Sequence, residues 1–431
     1  MKLITDPRRR RWVIVATIFI AIICNYLDRQ LLSVLKPEIL SEFGIDDNGY
    51  AWIVNVFLIC YAVMYPISGV LVDRFGSKRV MMAGIVAWSL ACIGGGLSQN
   101  IVQFTVCRGV LGLAEPTIFA GQIVAVTLWF EQRQRATANS LCTAGGSLGT
   151  VVAPLLIAWL CRILPSWQEV FMVAGIVGLV IAAVWWFVYK NPPQEILAVT
   201  TAQQSEARSS EQRAFGWGEL FRTRSLWGVL LIRMISDPVW YFCCFWLPAY
   251  LRDIYRMQDA ALSMQDTLDR IQWIGGIPFL VGAVGGVLSS VWSDRMVRRG
   301  SDSLAARKRM MIATVVVAPL CMLVPYLNGW IADAQMQVAV VVAIFSLIAV
   351  MCLSWLYTIC VVIAEAFPVR NVASVVGITA GAGAVGGAVF NIFVGDMLAS
   401  MGDVLFIIMG MLHIAAAVIL WRMVRRETPL T

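Results

Sequence analysis

Histidine occurs once in this chain of 431 residues, and charged residues make up only 14% of it. Each scarcity excludes something. A soluble domain averages about 25% charged and 45–50% apolar residues, whereas here 59% are hydrophobic. An ordinary water-soluble domain is therefore excluded. No nucleophile–histidine pair, metal cluster or cofactor motif is present, so the chain does not read as an enzyme and no cofactor is expected. Eleven cysteines are scattered and lack zinc-ligand or thioredoxin spacing. Cys243 and Cys244 are vicinal, a poor geometry for a bridge, and all are read as small packing residues. The apolar runs do not alternate with polar residues, which excludes a membrane β-barrel. No P-loop lysine follows the glycine-rich runs at 145–149 and 377–387, and no strand precedes them. They read as close-packing helix faces. His413 reads as a packing or outer-wall residue.

What is present is a series of apolar runs, each near the roughly 20 residues that a spanning helix needs. They fall at about 12–34, 50–71, 79–98, 101–127, 138–160 and 168–189, then 226–251, 271–293, 309–327, 336–364, 373–399 and 403–424. With open sheet edges barred from hydrocarbon, these runs must be helices. The polar stretch 190–225, with Asn191-Pro192-Pro193, divides residues 1–189 from 226–431 as a flexible or partly helical linker. Arg8–Arg11 before an apolar run resembles a signal peptide. No small-residue cleavage site follows and the run carries Asn25, Asp28 and Arg29, so a retained first helix is expected.

The net charge of +7 suggests nucleic acid, but its placement argues against that partner. The Lys and Arg residues cluster between apolar runs, as topology signals do. If the N-terminus lies inside, 25 of the 33 fall in inner segments and five in outer ones. Both termini are then cytoplasmic, in a cell inner membrane.

The two halves read as diverged copies. Asp73-Arg74 is echoed by Asp294-Arg295. Phe130, Ala136, Gly146 and Gly149 reappear 237 positions later as Phe367, Ala373, Gly383 and Gly386. Internal symmetry of this kind marks transporters whose site lies near mid-membrane.

Ionised residues inside spans are costly, by about 2.5–3.5 kcal/mol each on insertion scales, and so carry the functional reading. Span 1 holds Asn25-Tyr26-Leu27-Asp28-Arg29. Arg29 could snorkel to the outer surface, but the short Asp28 side chain reaches it poorly. Span 4 carries Arg108 and Glu115, two helical turns apart on one face. They form either a proton relay or a static ion pair. Span 7 opens with Arg233 and Asp237, an i, i+4 pair, followed by Pro238, which can bend the helix, and Trp240. Arg233 either faces the substrate or only holds Asp237. Trp240, Trp246 and Trp273 either offer faces to a sugar ring or serve as packing and interface anchors. Between spans 2 and 3 lies Gly69-Val-Leu-Val-Asp73-Arg74-Phe75-Gly76-Ser77-Lys78-Arg79. Gly69 permits a close helix approach, Asp73 caps or pairs, and the basic group anchors the loop at the cytoplasmic surface.

That loop resembles the signature of the major facilitator superfamily, whose fold would be all-α with twelve transmembrane helices in two pseudo-symmetric six-helix bundles. With the span 1 string, Gly112-Leu-Ala-Glu115-Pro116, Trp129-Phe130-Glu131-Gln-Arg133 and Phe367-Pro368-Val-Arg370, the chain resembles the anion:cation symporter family over its whole length. Leu226-Trp227-Gly228, Arg233, Asp237-Pro238, Trp240 and Trp246-Leu-Pro248 look most like its hexuronate branch. The resemblance implies proton coupling at Asp28 and Glu115, with Arg108 as the acid-switching partner. It implies that Arg29 binds the substrate carboxylate and that Tyr26 and Tyr61 line the cavity. Arg233, Asp237 and Trp240 join them as candidate substrate contacts, and Gly69, Asp73, Arg74, Gly76 and Arg79 support gating. Where galactonate-type members carry polar cavity residues, this chain has the glycine-rich runs.

The expectation is therefore a monomeric proton-coupled symporter in a lipid bilayer. It would import a small anionic sugar acid, a hexuronate or an aldonate, by alternating access, with the proton as co-transported ion. The rivals are a proton-driven exporter of organic compounds, against which Arg29 and Arg108 speak, and a sugar-acid sensor that moves nothing.

Overall fold

The computed structural model describes residues 7–130, 132–194, 215–258, 263–271, 274–400 and 402–427. Among these, twelve helical segments are long and apolar enough to cross a membrane. In chain order they are α1 (Arg9–Val34), α2 (Asp47–Val72), α3 (Ser77–Gly96), α4 (Ile101–Trp129), α5 (Leu141–Ile163) and α6 (Trp167–Val188). Then follow α7 (Arg224–Phe245), α8 (Ile277–Arg298), α9 (Ser303–Trp330), α10 (Ala334–Ala366), α11 (Ser374–Leu398) and α12 (Gly402–Met423). The chain is thus an all-α multi-pass membrane protein.

Prolines explain where these helices deviate. The seventh span, expected over 226–251, ends at Phe245. Trp246 leaves the helical region at φ −120°, two residues before Pro248, which has no N–H to continue the ladder. A separate helix, Leu247–Gln258, follows. Pro238 does not break α7, which runs through it. α9 changes at Val315 into a 3-10 helix containing Pro319 and Pro325. α4 is two helices, Ile101–Ala114 and Pro116–Trp129, that meet at Glu115. Pro116 has no N–H to donate backward, so the helical ladder is interrupted there.

Chain contacts group the molecule into two units. The first holds residues 1–32 and 56–211, and the second 33–55 and 212–431. Residues 33–55, which the sequence division assigns to the first half, join the second because polar bonds tie them there. Arg252, fully buried, donates to Glu38 Oε1 (2.7 Å), Glu38 Oε2 (3.1 Å) and the Val34 carbonyl (2.7 Å). Lys36 pairs with Asp47 at 2.6 Å and lies over the Trp246 ring at 4.5 Å. The Tyr50 hydroxyl donates to the Phe245 carbonyl (2.7 Å). Asn391 donates to Ala51 O and Asn55 Oδ1 and accepts from Trp246 Nε1 (2.7 Å). Trp246 is therefore an anchor of this polar clasp.

Within each unit the repeated glycines do matching work. A side-chain carbon at Gly146 would lie 2.7 Å from the Tyr26 ring, and one at Gly149 2.8 Å from Ile23 O. Their counterparts Gly383 and Gly386 would place one 2.0 Å from Asp237 Oδ2 and from Met234 O. Glycine thus lets α5 lie against α1 and α11 against α7. Pro238 supplies no N–H to the Met234 carbonyl four residues earlier, and Gly386 packs on that carbonyl. The repeat in the sequence is thus a repeat of helix contacts.

Candidate functional site

α1 carries Asn25, Asp28 and Arg29, all buried, into the interior of the first unit. A helix places residues three and four apart on one side, so Asn25, Asp28 and Arg29 share a face. On that face Arg29 meets Glu115. Nε donates to Glu115 Oε2 at 2.7 Å and Nη2 stands 2.6 Å from the same oxygen. Glu115 is 0% exposed, and it sits at the junction of the two halves of α4.

The guanidinium is boxed by aromatic faces. Its carbon lies 5.0 Å from the Tyr26 ring centre, 4.8 Å from Tyr61 and 5.6 Å from Phe57. Such stacking suits the planar, weakly hydrated arginine head. Phe57 was not among the sequence candidates, although it lies one helical turn before Tyr61 on α2 and so shares its face.

Asp28 is held differently. Cys92 of α3 donates to Asp28 Oδ1 at 3.6 Å, and Arg108 Nη1 donates to the Asp28 backbone carbonyl at 3.3 Å. The Arg108 guanidinium also lies 4.9 Å from the Phe171 ring and 5.4 Å from Phe104. Glu115 thus forms an ion pair with Arg29 of α1. Two turns along α4 from Glu115, Gln122 Nε2 donates to Thr143 Oγ1 (3.2 Å) and Asn139 O (3.3 Å) of the helix leading into α5. A lone glutamine outside a charged motif carries no sequence signal that would single out Gln122.

In the second unit Arg233 and Asp237 form the i, i+4 pair at 2.9 Å. With Trp240, Trp355 and His413 they line a cavity of about 10 Å³. Trp240 also packs edge-on against Phe279 at 5.7 Å. His413 is 1% exposed and lies in the interior, not on an outer wall. Trp273 lies outside the described residues.

In the loop between α2 and α3, Gly76 adopts φ +81° ahead of Ser77, a conformation that favours glycine. Ser77 Oγ donates to Gly121 O (3.0 Å). Arg74 lies over Phe75, and Lys78 over Trp186 at 4.4 Å. Arg79 lines an apolar groove of about 410 Å³ between α2, α3 and α4. A side chain at Gly69 would meet nothing within 4 Å. The close helix approach expected at Gly69 is not seen among the described residues. The side chain of Asp73 lies outside the described residues. In the echo of this loop, Asp294 pairs with Arg307 at 2.5 Å.

Known proteins are similar to this chain in sequence and in fold. The chain is 23% identical over 97% of its length to the hexuronate transporter of Escherichia coli K12, covering 94% of that protein. It is 26% identical to the galacturonate transporter of Dickeya chrysanthemi over 59% of this chain and 75% of that one. The solved structure of a D-xylose–proton symporter superposes with a TM-score of 0.74 at 13% identity, over 97% of this chain and 99% of that one, which shows the fold. Residues 18–268 match the family model described as Major Facilitator Superfamily. With more than half of its length matched, the chain belongs to the Major Facilitator Superfamily.

Proposed function

We propose that this protein is a proton-coupled symporter that imports a sugar acid, a hexuronate or a related aldonate, across the inner membrane by alternating access. The observation that carries the reading is the Arg29–Glu115 pair at 2.6 Å inside the box of Tyr26, Phe57 and Tyr61. One guanidinium fork faces one buried carboxylate, and a sugar-acid carboxylate has the same shape and charge. The two compete for Arg29. While Glu115 is ionised it occupies the fork. A proton on Glu115 removes its charge and frees Arg29 for the substrate carboxylate. Proton and anion therefore load together, and the enclosed site carries fewer uncompensated charges than either alone would leave. Asp28, buried beside Cys92 and Arg108, is the second proton carrier. Tyr26 and Tyr61 offer hydroxyls to the sugar, and Arg233, Asp237 and Trp240 are the second-half candidates. Relatives named as hexuronate and galacturonate transporters support the substrate class, and the excess of Lys and Arg in one set of loops supports cytoplasmic termini.

The test is a thermal-shift panel of purified protein against glucuronate, galacturonate, galactonate, gluconate and glucarate, followed by uptake into proteoliposomes with an inward proton gradient. Accumulation of one of them that collapses with the gradient is expected. Binding without uptake would favour a sensor, and neither binding nor uptake across the panel would remove the sugar-acid reading.

A further inference from the structure

His413 is the chain's one histidine, and α12 presents it to α7 and α10. Trp355 of α10 crosses its ring edge-on at 5.4 Å. That indole is itself fixed, because its N–H donates to Met311 O (2.9 Å) and Thr314 Oγ1 (3.2 Å). Cys352 Sγ stands 3.9 Å from His413 Nε2. Nδ1 is buried and has no hydrogen-bond partner among the described residues.

The same ring lines the cavity bounded by Arg233, Ser236 and Asp237 of α7 and by Cys352 and Trp355 of α10. From α11, Gly383 closes in on Asp237 with no side chain between them. A buried polar group left unsatisfied is costly, and a cavity holds a water when about 10–15 Å³ is open to its centre and polar groups surround it. Here about 10 Å³ is open. That is room for one water.

We propose that this cavity is a single-water site that joins His413 Nδ1 to the Asp237 carboxylate. The second unit then holds an acid–water–imidazole chain, separate from Asp28 and Glu115. Asp237 keeps Arg233 as its ion-pair partner at 2.9 Å and gains the water on its other side. His413 acts as a positioning residue that fixes the water, and through it the carboxylate. The inference stands whether or not the transported molecule is a sugar acid.

A single histidine makes the test unambiguous. The full chain, purified through a histidine-free affinity tag, is labelled with ¹⁵N-histidine and placed in lipid bilayers for solid-state NMR. Transfer of magnetisation from water protons to the His413 Nδ1 signal is expected, with loss of that transfer or a shifted Nδ1 signal in Asp237→Asn. Absence of water transfer in the unsubstituted protein means a dry cavity and overturns the proposal. So does an Nδ1 signal that Asp237→Asn leaves unchanged. Should the variant not fold, the distance from Nδ1 to ¹³C-labelled Asp237 decides. Two hydrogen bonds of about 2.8 Å and the carboxyl C–O bond bridge no more than roughly 7 Å from Nδ1 to Cγ, and a longer separation sinks the idea.

Discussion

Arg29 and Glu115 come from helices far apart in the chain, yet Nη2 and Oε2 stand 2.6 Å apart with both side chains buried. Replacing Arg29 by Ala removes the guanidinium that is ion-paired with Glu115. In the substrate complex the fork would make two charge-assisted hydrogen bonds to the carboxylate, and their loss costs about 3 kcal/mol or more, roughly 100-fold in affinity. Arg29→Ala is expected to abolish sugar-acid binding by thermal shift, and Arg29→Lys, which keeps the charge without the fork, to weaken it at least tenfold. Wild-type affinity in Arg29→Ala would remove Arg29 from the site.

Glu115→Gln keeps the side chain's shape and removes its charge. Arg29 is then free of its competitor at every pH. Exchange of substrate across proteoliposomes should persist, while accumulation driven by a proton gradient should stop. If Glu115→Gln still concentrates substrate against a gradient, the coupling role lies elsewhere.

Two glycines give opposite expectations. At Gly386 a methyl group would lie 2.0 Å from the Met234 carbonyl oxygen, so Gly386→Ala must push α11 off α7, at about 1–3 kcal/mol. At Gly69 nothing stands within 4 Å, and alanine is favoured over glycine in a helix by roughly 0.5–1 kcal/mol. Melting followed by fluorescence should show Gly386→Ala clearly destabilised and Gly69→Ala unchanged or more stable. The reverse order would contradict the packing described for these helices.

Arg252 is fully buried and holds both oxygens of Glu38 and the Val34 carbonyl. Arg252→Ala leaves a carboxylate and a carbonyl without this partner, a loss of about 3–5 kcal/mol for a buried pair. A large drop in melting temperature is expected, with a smaller one for Glu38→Gln. A melting temperature unaltered in Arg252→Ala would show that residues 33–55 are held by other means.

Asp253 stands on the same short helix, outside the membrane spans. Burial and the nearby Asp47 push its carboxyl above the ordinary 3.8, while Lys36, Arg252 and Arg256 pull it down. A folded-state value above the unfolded one means that the folded form binds the extra proton. The stability it contributes is complete below 3.8 and is lost as pH rises through the raised value. Asp253→Asn should therefore melt higher than the wild type near neutral pH, with the difference closing as pH falls toward about 4. A difference independent of pH would exclude the carboxyl as its source.

The membrane class, the twelve spans and the candidate acids and bases were legible in the sequence. Continuous apolar runs admit only helices in lipid, and each ionised residue within them stands out against that background. The spacing of Gly146, Gly149, Gly383 and Gly386 even reported helix contacts, since a backbone approach excludes every side chain and so writes itself into residue type. Partnership was not legible. Arg108 and Glu115 share a helix face, but the Arg29–Glu115 pair joins residues 86 positions apart, which no local spacing announces. Phe57, Cys92 and the water-sized chamber around His413 depend on which helices pack side by side, and their residue types alone carry no charge pattern to betray them. The grouping of residues 33–55 with the second half likewise came from Arg252, Lys36 and Asn391 finding partners far away in sequence. Apolar length is a local property and determines the spans. The match of one buried polar group to another is set by three-dimensional distance, and only the tertiary structure decides it.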